Sequence, residues 1–93
     1  MERMAFETEL HEQGYMEIVD RRMEPNAVNP EHTHEFDARL LVLYGTMTVT
    51  AAGTELTYNA GDIFTMSAGC RHAERSGPVG VRYLAGRRYP AVR

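Results

Sequence analysis

Apolar and polar residues alternate along this chain in short β-prone runs of about five to eight residues, each closed by turn-forming residues. The turns fall at Gly14, Pro25-Asn26, Asn29-Pro30, Gly45, Ala52-Gly53, Asn59-Ala60-Gly61, Gly69, Gly77-Pro78 and Gly80. This punctuation predicts an all-β domain with strands near 5–10, 15–24, 31–35, 38–44, 46–51, 54–59, 62–66, 71–76 and 80–88, and leaves almost no room for helix. Met47 to Ala51 and Thr54 to Tyr58 flank Ala52-Gly53, the signature of a two-residue hairpin. Leu40 to Leu43 are apolar without a break, so both faces of that strand are expected to be covered. The favoured cover is a second subunit, which predicts a homodimer. The alternative is the N-terminal segment of the same chain.

Composition narrows the class. Ninety-three residues suit a single domain over 1–93, and 43% hydrophobic content supplies a modest core. Thirteen acidic against ten basic side chains give a net charge of -3, with no basic block to grip phosphates, so nucleic acid is not an expected partner. Cys70 is the lone cysteine, which removes any internal disulfide and points to a reducing compartment. The N-terminus carries Glu2, Arg3, Glu7 and Glu9 where a signal peptide would be apolar, and the longest apolar run is too short for a membrane span. A cytoplasmic, soluble protein is the expectation. The tail from Arg87 to Arg93 reads as a solvated end.

The candidate chemistry lies in His32-Thr33-His34. In a strand, residues two apart share a face, so both imidazoles can enter one space, and a third from a neighbouring strand would complete a metal triad. His72, which follows Ala68-Gly69-Cys70-Arg71, is the candidate third ligand. In their spacing, these residues resemble the two motifs of the cupin superfamily. The first motif maps onto His32, His34 and Gly45 within about 26–45, and the second onto Gly61, Gly69 and His72 within about 61–76. The resemblance implies a double-stranded β-helix, or jelly-roll, cupin barrel that holds a divalent metal ion through His32, His34 and His72. Imidazole ligands suit Zn, Fe, Ni, Mn or Cu alike.

The departures from the motifs define the open questions. Ala38 stands where the family has its ligand glutamate, Asn26 replaces the first glycine, Ser67 the proline and Ser76 the closing asparagine. If the strand after His34 is regular, Ala38 faces inward and Asp37 and Arg39 face away. A bulge would instead turn Asp37 inward as a further metal ligand, or Arg39 as an anion-binding group. Glu74 lies two residues beyond His72 and would share its face, as a ligand, a proton-transfer group or a partner that orients an imidazole; the alternative is a surface ion pair with Arg71 or Arg75. Cys70 is a candidate thiolate or a small packed residue, and Ser76 a hydrogen-bonding group near the pocket mouth. Phe36, Phe64, Met66, Met47, Tyr44 and Tyr83 are the candidate apolar lining.

The function expected is a metal-binding cupin that takes a small organic ligand, such as a metal-dependent dioxygenase or isomerase, with Glu74 as the catalytic candidate. The alternative is a non-catalytic sensing or binding module without essential metal. The fold hosts both.

Overall fold

The computed structural model describes residues 2–90. A helix, α1 (Arg3–Glu12), precedes six strands: β1 (Glu17–Met23), β2 (Val28–His32), β3 (Asp37–Ala51), β4 (Thr54–Asn59), β5 (Ile63–Met66) and β6 (His72–Arg88). Two of the strands are long, 15 residues in β3 and 17 in β6, and they pair antiparallel along nearly their whole length. Each therefore merges two of the runs expected from the sequence, 38–44 with 46–51 and 71–76 with 80–88.

The long pair divides the sheet into two halves. In one, the C-terminal part of β6 and the N-terminal part of β3 carry β1 and β5 at their flanks. In the other, the remaining parts carry β2 and β4. Register shifts between Val42 and Met47 mark the boundary, where the chain bends. Gly45 sits there with φ 75°, and a Cβ at this position would strike the Gly80 carbonyl opposite, so only glycine lets the two strands approach.

The inward-facing side chains form one core cluster that includes Leu40, Val42, Met47, Val49, Phe64 and Val81. A second cluster lies on the outside of the β1–β5 half, where Leu41 and Leu84 meet Phe6, Leu10 and Tyr15. Phe6 and Leu10 come from α1, in a region expected as strand 5–10. Their four-residue spacing stacks them on one helix face. Glu2 caps the N-terminus by accepting hydrogen bonds from the Met4 and Ala5 amides. At the other end, the Tyr15 amide donates to Leu10 and the Gly14 amide to His11, while Gly14 takes φ 84°. This Schellman turn brings buried Tyr15 onto Leu10. Short-range alternation suggested strand, but capping and tertiary burial make this segment helical. The helix also covers the second face of Leu40–Leu43, so that face needs no partner subunit.

The turns carry the conformations their residues permit. Asn26, in place of the motif glycine, has φ 54°, and Ala52 and Gly53 both take positive φ in the hairpin that joins β3 to β4. At the C-terminal end Arg87 and Arg88 belong to β6 and make ion pairs with Glu17 and Asp37, whereas Arg88, Tyr89 and Pro90 are exposed as expected of a solvated end; positions 91–93 of that tail lie outside the described residues. Among the described residues, no helix is long and apolar enough to cross a membrane.

Candidate metal centre

Three elements bring the histidines together. His32 ends β2 and is paired with His72, the first residue of β6. His34 lies beyond β2, in the loop to β3, and its carbonyl accepts a hydrogen bond from the Gly69 amide at 2.9 Å. That bond ties the first motif to the second. His34 is thus positioned by a loop contact and not by strand alternation, although it reaches the same space.

The ligand nitrogens of His32, His34 and His72 lie within 4.8 Å of one another. His32 Nδ1 donates to the Pro30 carbonyl at 2.7 Å and His72 Nδ1 donates to the Cys70 carbonyl at 3.0 Å. With Nδ1 directed to a carbonyl in each, both rings turn their Nε2 edge to the shared space, the orientation a metal ligand needs. His32 Nε2 and His34 Nε2 are 3.1 Å apart. Two imidazole nitrogens on one ion at bonds of about 2.1 Å are separated by roughly 3.0–3.4 Å, so the pair fits a shared cation. Burial, reinforced by His32 and His72 nearby, holds the His34 imidazole below the usual histidine range and so favours its neutral form. The donor set therefore fits a divalent metal ion.

The acids separate clearly. The Glu74 side chain is only 11% exposed, and its Oε1 is 3.6 Å from His32 Nε2 and accepts from Asn29 Nδ2 at 3.3 Å. Its alternative surface partners are engaged elsewhere, Arg71 with Glu31 and Arg75 with Glu55. Asp37 is not brought to the histidines. Its carboxylate accepts from the Ala68 amide at 2.9 Å and pairs with Arg88 at 3.1 Å, contacts that hold it well below the ordinary aspartate range. No bulge intervenes at this point of β3: Ala38 pairs in register with Met66 and faces the interior, while Arg39 points outward to Glu9 of α1 and to Thr65. The inward Arg39 considered from the sequence does not occur.

The histidines open into a cavity of about 200 Å³ between the two halves of the sheet. Phe36, Phe64, Met66 and Tyr83 line it, as expected. Met47 is packed into the core instead, and Tyr44 is exposed on the outside of the bend. Burial, followed by the Glu74 carboxylate, raises the Tyr83 phenol above its ordinary range, so it remains a hydrogen-bond donor. Ser76 is not at the mouth: its hydroxyl donates to the Glu24 carbonyl and accepts from the Ala27 amide, fastening the turn between β1 and β2. Cys70 serves through its carbonyl, and its thiol points to the Arg71 carbonyl.

Two cationic groups of the cavity were missed in the sequence, Arg21 and Arg87. The signal for Arg21 was present: in β1 it shares the inward parity of Val19 and Met23, which are apolar.

Comparison with known proteins agrees with this fold. The family model described as "Cupin domain" matches residues 19–79. A protein of unknown function from Rhizobium leguminosarum bv. viciae 3841 superposes with a TM-score of 0.74 at 25% identity, over 78% of this chain and 69% of its own. KdgF from Halomonas sp. gives 0.66 at 21% identity over 78% of this chain and 68% of its own. The CENP-C cupin domain of Drosophila melanogaster gives 0.66 at 18% identity over 75% of this chain and 59% of its own. No curated protein sequence gives a significant match.

Proposed function

The chain belongs to the cupin domain family, and on that premise we propose that it is a jelly-roll, metal-binding cupin in which His32, His34 and His72 hold one divalent ion above a small-molecule cavity. The carrying observation is the convergence of the three ligand nitrogens, with the Nδ1 atoms of His32 and His72 each fixed by a backbone carbonyl. Bound there, Zn, Fe, Ni, Mn or Cu would supply Lewis acidity or, for the redox metals, oxygen activation.

The protein's own groups divide the remaining work. With Ala38 in the acid position, β3 supplies no carboxylate there, and an ion held by the three histidines would be left with room on the cavity side for a substrate oxygen. Glu74, held by Asn29 beside His32, is the group to accept or return a proton at its free carboxylate oxygen. Tyr83 is a neutral donor to the same space. The apolar walls at Phe36, Phe64 and Met66 favour a carbon skeleton and limit water. These features support a dioxygenase or isomerase more than an inert binding module.

Metal analysis of protein purified without an affinity tag tests the reading. About one metal per chain is expected, restored by dialysis after chelation. Substoichiometric metal that dialysis does not restore overturns it. Glu74→Gln should slow turnover of any substrate found in an oxygen-uptake or isomerisation screen while retaining the metal, and equal rates would remove Glu74 from the chemistry.

A further inference from the structure

Of the two arginines that line the cavity, only one is taken up by a carboxylate. Four charged side chains line or border the cavity: Arg21, Arg87, Glu74 and, as the partner of Arg87, Glu17. Arg87 is fixed, with Nη1 2.9 Å from Glu17 Oε1 and its guanidinium 4.7 Å from the centre of the Phe36 ring. Arg21 is different. It is exposed on the inward face of β1, directly opposite Tyr83 of β6, and among the described residues it pairs with no carboxylate. Its neighbours on that face, Val19 and Met23, are apolar and packed on the core, while Glu17 at the start of the strand is taken up by Arg87. The neighbouring Arg22 lines a separate groove, and Asp20 on the outer face pairs with Arg82. An arginine between two apolar residues of an edge strand, at the mouth of a cavity and with no carboxylate partner among the described residues, has no evident packing role.

We propose that Arg21 is a specificity-determining residue that binds the carboxylate of a small organic acid, a class that deepens the metal-cupin reading above and rests on it for the second contact. Its planar fork matches a carboxylate through two parallel hydrogen bonds. Tyr83, opposite Arg21 in register, adds a neutral donor on the way into the cavity. Arg87, already neutralised by Glu17, adds field rather than net charge. The acid's carbon skeleton lies against the apolar walls, and a second oxygen points to the histidines. Phosphate would meet the same fork. However, the apolar walls and the Glu74 carboxylate favour a singly charged group carried on carbon.

The test uses the full chain, loaded with cobalt(II) as a spectroscopic probe and also metal-free. Calorimetry compares acetate, malonate, succinate and 2-oxoglutarate with the corresponding amides and with inorganic phosphate. At least one acid should bind more tightly than its amide by about tenfold or more, the scale of a charge-assisted bidentate contact. Arg21→Gln should abolish that preference with cobalt affinity and melting temperature unchanged, and Arg21→Lys should restore part of it. The proposal is overturned if no acid is preferred to its amide, if the preference survives Arg21→Gln, or if phosphate binds more tightly than every acid. Absence of cobalt binding counts against the metal reading alone, because the acid preference of Arg21 is scored independently on the metal-free chain.

Discussion

Strand β3 has two faces that meet different surroundings. Outward, Leu41 lies against Phe6 and Leu10 of α1 with little space to spare: on the neighbouring strand, a Cβ at Gly86 would come within 2.7 Å of the Leu10 side chain. Inward, Ala38 and Leu40 on the same strand face a cavity with room for a ligand and with histidines, Glu74 and Arg21 around it. One face is packed like a protein interior and contributes stability, about 1.5–3 kcal/mol for each large side chain fully buried. The other leaves volume unfilled and polar groups incompletely paired, an arrangement that costs stability and provides a site. The helix thus steadies the half of the sheet whose inner surface bears part of the cavity.

Breaking the outer face should have the largest effect. Phe6→Ala empties a fully buried position under the sheet and should cost about 3–5 kcal/mol, read from the urea midpoint. If the two faces do separate stability from binding, whatever folded fraction remains should still take up metal. Loss of metal binding by folded Phe6→Ala would show that the faces are coupled.

The inner face should respond in the opposite manner. His72→Ala removes one of three ligands and should weaken metal binding by about two orders of magnitude or more, with the metal-free protein melting close to wild type. A large fall in metal-free stability would mean that His72 is chiefly structural.

Asp37 joins the two faces, because it ties the loop at Ala68 and the end of β6 at Arg88. Asp37→Ala should cost about 1–2 kcal/mol near neutral pH. Since these contacts depress its folded pKa below the ordinary 3.8, that stabilisation is fully present above pH 3.8 and is lost as pH falls through the folded value. The difference between wild type and variant in denaturant titrations should therefore shrink in acid; a difference independent of pH would refute the ionic account. The smallest effect lies far from both faces. Ala52→Asn places a residue suited to left-handed backbone at φ 50° and should raise stability by roughly 0.5–1 kcal/mol, measured as a higher melting temperature.

Much of the fold was legible because its signals are local. Ala52-Gly53 specified the hairpin, Asn26 accepted the left-handed turn, and the apolar run Leu40–Leu43 announced a strand covered twice. Helix α1 was not legible in the same way. Phe6 and Leu10 fit a helix face, yet they are decisive only once Leu41 and Leu84 exist as a surface to receive them. The cover first sought in a second subunit is supplied by the chain itself.

The site divides along the same line. The sequence by itself determined the three histidines, the missing acid at Ala38 and the parity rule that would decide Asp37 and Arg39, because side-chain direction along a strand follows from backbone geometry alone. Only the tertiary structure decided that the strand is regular there, that Asp37 and Arg39 serve the loop and the helix, and that the Gly69 amide draws His34 inward from a loop. It also left Arg21 without a carboxylate partner among the described residues, a fact no local pattern contains, since pairing depends on which residues distant in the chain fold back to meet it.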